Sequence, residues 1–80
     1  MQSHHRFSHT VKVRFGSSNH HVKSIEQARE LLLHPAWPRR GPWHEDALYT
    51  TLEVFDGRRP LADAELSFSD AARESSILLR

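Results

Sequence analysis

The stretch that decides the fold is residues 56–79, DGRRPLADAELSFSDAARESSILL. Its apolar side chains recur at the spacing that gathers residues onto one face of a helix, and they are Leu61, Ala64, Phe68, Ala71 and Ala72. Pro60 suits the first turn of that helix, where a missing N–H costs nothing. Residues 77–79 (ILL) are too few for another helix but enough for one buried strand. The stretch therefore predicts an amphipathic helix followed by a terminal strand.

Length and composition limit the class of protein. Eighty residues form one domain, and a domain of this size buries only about 60% of the surface of its unfolded chain, which leaves little for a deep substrate pocket. A formal net charge of +1 falls short of the basic surface of a dedicated nucleic-acid-binding domain. The sequence has no cysteine, which excludes disulfides, thiol nucleophiles and thiolate zinc sites. No apolar run approaches the ~20 residues of a membrane span, and we expect a soluble, cytoplasmic protein.

The first part of the chain predicts a tail and a hairpin. Residues 1–8 are polar and rich in histidine, and we expect them to form a flexible tail before a single domain over residues 9–80. Residues 9–15 (HTVKVRF) alternate between apolar and polar side chains, as a half-buried strand does. After a turn, residues 20–23 (HHVK) can return as a shorter strand at the edge of the sheet.

Two helices are predicted between the hairpin and the last helix. Ser24 begins the first with a capping box, in which its side chain accepts from the N–H of Gln27 and the Gln27 side chain reaches back to the N–H of Ser24. This helix stops at His34, which precedes a proline. Residues 44–55 resume the helical period, with an apolar face of Ala47, Leu48, Thr51, Leu52, Val54 and Phe55. Gly57 ends this helix, because glycine readily takes the left-handed conformation there.

Residues 35–43 (PAWPRRGPW) join these two helices and contain both tryptophans. Pro35, Pro38 and Arg40 match the PxxPxR spacing of a proline-rich ligand. That match is short, and a structural loop whose tryptophans pack on the core is the favoured interpretation. The candidate binding surface combines this loop with the arginines after the second helix, namely Trp37, Arg39, Arg40, Trp43, Arg58 and Arg59.

No residue pair or triad predicts an active site. The three glycines are isolated, so no phosphate-binding loop is present, and no serine lies in a nucleophile elbow. His44 and Glu45 are adjacent on a helix and point in different directions. His20 and His21 face opposite sides of a strand and cannot easily share an ion, although His9 is placed across the hairpin from one of them. We therefore expect no enzymatic activity, no cofactor and no designed metal site.

The chain resembles the domain of unknown function 982 family of small alpha-proteobacterial proteins. The resemblance rests on the order of five motifs, which are a first strand VKVRF, a helix start SIEQA at residues 24–28, the Trp37–Pro38 pair, a helix ending in Gly57, and an alanine-rich helix before a terminal strand. It implies a two-layer α+β domain in the order β-β-α-α-α-β. A small, largely antiparallel three-stranded sheet would pack against three helices, with the terminal strand beside the first. The family has no established activity, so the resemblance implies a fold and not a function.

The expected function is that of a non-enzymatic interaction or regulatory module that binds a protein partner or itself through the candidate binding surface. The alternative, from a different class, is weak nucleic-acid binding by Arg39, Arg40, Arg58 and Arg59, which requires their two loops to converge. The dependence of binding on salt concentration distinguishes the two hypotheses. Phosphate binding falls steeply with salt, whereas docking through tryptophans is much less sensitive.

Overall fold

The computed structural model describes residues 6–79, in which it contains two strands and three helices. The elements are β1 (Arg6–Phe15), β2 (Ser18–Ser24), α1 (Ile25–Leu32), α2 (Pro42–Phe55) and α3 (Leu61–Glu74). The predicted α+β class and the three helices are confirmed. β1 begins at Arg6 and not at residue 9, so residues 6–8 of the predicted tail belong to the strand. Residues 1–5 of that tail, and residue 80, lie outside the described residues.

β1 and β2 form an antiparallel hairpin whose register decides which side chains enter the core. Val11 pairs with Val22 and Val13 with His20, so the three valines share the face that is turned to the helices. All three valines are buried. Gly16 sits in the turn with a φ of 65°, a conformation that glycine takes without steric cost. The hairpin therefore has one apolar face and one polar face.

The segment after α3 lies along the other side of β1. Its backbone contacts to β1 are Arg14 N–H to Ile77 O (2.8 Å), Leu79 N–H to Lys12 O (2.9 Å) and a single antiparallel bridge between Val13 and Leu78. The segment lies beside the first strand, as predicted. In the described part of the chain, however, the sheet has two strands, and the prediction of a three-stranded sheet is confirmed only for its first two.

The short length of this segment follows from the way α3 ends. Ser76 has a φ of 59°, and the N–H groups of Ser76 and Ile77 donate to the carbonyls of Arg73 (3.0 Å) and Ala72 (2.9 Å). These two bonds form a Schellman motif, which turns the chain sharply away from the helix axis. Only residues 77–79 then run beside β1 among the described residues, and they are enough for one bridge.

α1 starts with the predicted cap, with one change of donor. The Ser24 hydroxyl accepts from Gln27 N–H at 3.3 Å, as expected. The Gln27 side chain accepts from Lys23 N–H at 2.6 Å, so the prediction that it would bind Ser24 N–H was wrong by one residue. The alternation of the antiparallel ladder explains the change: Ser24 pairs with Arg6 and directs its N–H towards β1, whereas Lys23 directs its N–H to the free edge.

α3 supplies the centre of the core and connects the two layers. Ala64, Phe68, Ala71 and Ala72 are completely buried, which confirms the predicted apolar face of this helix. Ile25, Leu32 and the hairpin valines complete the core around Phe68. The helices therefore lie on one face of the hairpin, and its polar face is left to solvent.

Candidate functional site

The two tryptophans of the predicted binding surface lie in different environments. Trp37 is only 3% exposed, and its ring centroid lies 6.0 Å from that of Phe68 and 5.6 Å from that of His44. Its Nε1–H donates to Arg39 O at 3.0 Å. Trp43, at the first turn of α2, is 49% exposed. Trp37 therefore pins its loop to the core and offers little surface to a partner, whereas Trp43 is accessible.

The proline-rich loop is a turn and not an extended ligand. Trp37 N–H donates to His34 O at 3.0 Å, which closes a turn over residues 34–37. Arg40 binds the same carbonyl from its guanidinium at 2.8 Å. A PxxPxR ligand requires polyproline II geometry without internal hydrogen bonds. The loop is therefore a structural connection, which was the favoured interpretation of the sequence.

The four arginines of the predicted surface do not converge. Arg39 and Arg40 precede the start of α2, whereas Arg58 and Arg59 follow its end. A helix of 14 residues is about 21 Å long at 1.5 Å per residue, and that length separates the two pairs. The predicted binding surface is thus divided between the two ends of α2.

Arg59 is also engaged within the domain. Its guanidinium donates to Glu53 at 3.2 Å, to Asp63 at 3.1 Å and to Thr50 at 3.2 Å, and so joins the end of α2 to the start of α3. The hydrogen bond that Arg59 donates to Glu53, followed by the one that it donates to Asp63, raises the pKa of Arg59 above its usual value. The side chain stays charged at any working pH and acts as a clamp between the two helices.

α2 exposes several large apolar side chains. Its covered side consists of His44, Ala47, Thr50, Thr51 and Val54. Leu52 (46% exposed) and Phe55 (36%) belong to the predicted apolar face but lie outside that covered side. Tyr49 is 62% exposed and Leu48 is half-buried between the two sides. We call Leu48, Tyr49, Leu52 and Phe55 the apolar α2 face.

Arg29 of α1 closes the apolar α2 face at one border, and Leu33 is a further exposed apolar side chain. Leu33 follows α1 and is 55% exposed. The Arg29 guanidinium donates to Leu48 O at 3.1 Å and lies 6.0 Å from the centre of the Phe55 ring. A cation over an aromatic ring is attracted to it, so Arg29 holds the end of the face in place. Between Asp46 and Glu53, α2 has no charged residue.

The width of the apolar pattern was the signal that sequence reasoning missed. At about 100° per residue, the six residues of the predicted apolar face of α2 span about 160° of the helix circumference. A helix on the surface of a small domain buries a stripe little wider than about 100°. Some of the six side chains therefore had to remain outside, and the packing of α1 and α3 decides that they are Leu52 and Phe55.

The start of α2 is fixed by a carboxylate from α3. Glu74 accepts from His44 N–H at 3.2 Å and from Trp43 N–H at 3.4 Å, which satisfies two free donors of the first turn. A Cβ at Gly41 would collide with this carboxylate. The His44 imidazole is buried and its Nε2–H donates to Leu32 O at 2.7 Å. His44 is therefore a structural residue that ties α2 to α1.

The histidines of the hairpin do not form a metal centre. His20 lies edge-on to the Phe15 ring at 6.0 Å in an open groove of about 580 Å³ between β2 and α1, whereas His21 is on the opposite face of the strand. His9 pairs with neither, since its Nδ1 lies 3.4 Å from Glu65, and its placement across the hairpin was wrong. Within residues 6–79, no group of three or more histidine or carboxylate side chains is placed to hold a metal ion.

Comparison with known families matches residues 9–79 to the family described as protein of unknown function (DUF982). The chain belongs to this family. The resemblance seen in the sequence motifs is confirmed, and the DUF982 region covers all three helices and both strands except the first residues of β1. No curated protein and no solved structure matches the chain. Among the described residues, no helix combines the length and the apolar composition needed to cross a membrane.

Proposed function

We propose that this DUF982 chain is a non-enzymatic interaction module that pairs with a second copy of itself through the apolar α2 face. The exposure of α2 is the observation that supports the proposal. The apolar side chains of α2 cover a wider arc of the helix than the side that the domain buries. Tyr49 is 62% exposed and Leu52 is 46% exposed in the single chain.

The size of the face suits the core of a small interface. At about 200 Å² per aromatic side chain, the exposed fractions of Tyr49 and Phe55 together leave roughly 200 Å² in water. Leu52, about half exposed, and the half-buried Leu48 bring the patch towards the few hundred Å² that are often functional on a small protein. A standard interface buries about 800 Å² per partner, with an apolar core and a polar rim. The face would supply that core.

The charges around the face favour a second copy as the occupant. A two-fold axis through the middle of α2 makes the two helices antiparallel, so each face meets an identical face. The end that carries Phe55 and Arg29 then lies opposite the first turn of the other α2, where Glu45 and Asp46 are found. At both ends Arg29 of one copy then meets carboxylates of the other, and the uncharged middle of α2 meets itself.

The test is the mass of the protein in solution, measured by sedimentation equilibrium from micromolar to millimolar concentration. We expect the wild type to dimerise and the variants Tyr49→Glu and Leu52→Glu to stay monomeric, because each would bury an unpaired carboxylate at the centre of the interface. Leu66→Glu is the matched control, since Leu66 is 63% exposed on α3, outside the face, and its variant should dimerise like the wild type.

Three results would count against the proposal. A wild type that is monomeric at all concentrations would overturn self-pairing and leave the face to a different protein. Equal weakening by Leu66→Glu and Tyr49→Glu would overturn the assignment of the face. Retention of the dimer by both Tyr49→Glu and Leu52→Glu would do the same.

The other parts of the proposal have weaker support. Its non-enzymatic character is favoured by the burial of His44, the histidine with carboxylates next to it in sequence. The cytoplasmic location stays a prediction. Nucleic-acid binding by the loop arginines is not favoured, because α2 separates Arg39 and Arg40 from Arg58 and because Arg59 is held by Glu53 and Asp63.

A further inference from the structure

The charges of the domain are divided between its two layers. Residues 6–24, the hairpin, contain Arg6, Lys12, Arg14 and Lys23 and no aspartate or glutamate. Residues 25–79 contain six arginines against all ten carboxylates of the chain, a balance of −4. The net charge near zero is therefore the sum of a hairpin with charge +4 and a helical layer with charge −4.

Three of the hairpin cations lie on its outer, polar face. Lys12 pairs with His21 and Arg14 with Asn19 across the ladder, and Lys23 follows on the same side of β2 because side chains alternate along a strand. All of these residues are exposed. None of the ion pairs within residues 6–79 involves Lys12, Arg14 or Lys23. Their charges are directed to solvent.

The three cations are spaced evenly along the hairpin. Lys12 and Arg14 are two residues apart on β1, which is about 7 Å at 3.4 Å per residue. Lys23 lies one residue beyond the Val11–Val22 pair, so it continues the row by about another 7 Å on the neighbouring strand. One strand of a duplex advances about 3.4 Å along the helix axis per phosphate, and because it also winds around the axis, consecutive phosphates lie farther apart than this rise. The spacing of the row therefore suits consecutive phosphates of one strand.

The other side chains on this face indicate which class of polyanion the three cations would bind. Thr10, Asn19 and His21 are polar, and no aromatic or large apolar side chain of β1 or β2 points outwards with them. Binding of single strands relies on aromatic side chains that stack on bases. Stable binding to an anionic membrane relies on apolar side chains that enter it. Contact with the sugar–phosphate backbone of a duplex needs only cations and hydrogen-bond donors.

We infer that the outer face of the hairpin, through Lys12, Arg14 and Lys23, binds the phosphate backbone of a nucleic-acid duplex without reading its sequence. This site is distinct from the loop arginines and lies on the opposite layer from α2. It is therefore independent of self-pairing. Three phosphate contacts give weak binding that weakens with salt, with a slope of log K against log salt of about −2.7.

The test compares two variants that change the net charge by the same amount. Lys12→Gln/Arg14→Gln/Lys23→Gln removes the row on the hairpin, and Arg39→Gln/Arg40→Gln/Arg58→Gln removes three exposed arginines from the helical layer. The probe is a fluorescent DNA duplex of about 16 base pairs, which is long enough to offer more phosphates than the row can contact. Anisotropy is measured against salt, and far-UV circular dichroism checks the fold of both variants.

We expect the wild-type affinity to fall about 40-fold between about 50 and 200 mM salt. The hairpin variant should lose binding, and the arginine variant should keep it to within about twofold. No wild-type binding at low salt, a flat salt dependence, or equal losses in the two variants would overturn the inference. Tighter binding of a single strand of the same probe than of the duplex would overturn the preference for a duplex. Binding to phosphatidylserine vesicles that is as tight, and is lost in the same variant, would reassign the face to a lipid surface.

Discussion

Replacing Trp37 by alanine tests whether the loop between α1 and α2 is held by the core. The indole is almost completely buried against Phe68 and His44. Removal of such a side chain costs about 3–5 kcal/mol, since a cavity remains. The lost bond from Nε1–H adds little, because the Ser75 hydroxyl still donates to Arg39 O at 3.1 Å. We expect the free energy of unfolding to fall by about 4 kcal/mol.

Trp43→Ala is the matched control, because Trp43 has the same side chain and is half exposed. Trp43→Ala should lower the free energy of unfolding by no more than about 2 kcal/mol, in proportion to the part of the ring that is buried. A domain of this length has a total stability of about 4–12 kcal/mol, so Trp37→Ala brings the chain close to unfolding. Trp37→Phe, with an expected loss of about 1–2 kcal/mol, keeps the test usable if the alanine variant does not fold.

The assay is urea unfolding followed by far-UV circular dichroism, together with the emission of the single tryptophan left in each variant. Trp43→Ala keeps only Trp37, whose emission should be blue-shifted, whereas Trp37→Ala keeps the red-shifted emission of Trp43. Equal losses of stability in the two alanine variants would refute the burial of Trp37. Red-shifted emission from folded Trp43→Ala would refute it as well.

Two further substitutions probe the ends of the helices. Ser76→Gly should raise the free energy of unfolding by about 0.5–1 kcal/mol, because the cost of a positive φ is relieved and the freedom of glycine in the unfolded chain offsets part of the gain. A lower midpoint of thermal unfolding would contradict this. Glu74→Ala should cost about 1 kcal/mol, because the cap on Trp43 N–H and His44 N–H is lost, and Glu74→Gln should recover part of it. Faster hydrogen exchange of these two amides in Glu74→Ala is the direct check, and unchanged exchange would show that the cap contributes nothing.

Features governed by local interactions could be predicted from the sequence. The apolar face of α3 is buried as its spacing indicated, because Ala64, Phe68 and Ala71 must share one side of any helix that contains them. Ser24 caps α1 since its hydroxyl reaches Gln27 N–H within one turn. Gly57 ends α2 because its backbone takes a positive φ, 76°, which glycine adopts more readily than other residues.

Features that depend on contacts between distant segments could not be predicted in the same way. Trp37 and Trp43 have similar neighbours in sequence, and only the position of the loop over Phe68 decides which indole is buried. The convergence of the arginines that the nucleic-acid alternative required is prevented by the length of α2, which keeps Arg40 and Arg58 apart. The outer face of the hairpin was overlooked because the net charge was taken for the whole chain, although its sign differs between the layers.

The bridge between Val13 and Leu78 has a consequence for the protein while it is being synthesised. Residues 77–79 follow all three helices in the sequence, so they leave the ribosome about 3–12 s after β1 at 5–20 residues per second. During that interval the second edge of β1 is open, and an open edge can pair with strands of other nascent chains. Lys12 and Arg14 flank this edge, and their like charges repel a second hairpin. We therefore expect these basic side chains to disfavour aggregation of the nascent hairpin until the segment after α3 covers its edge.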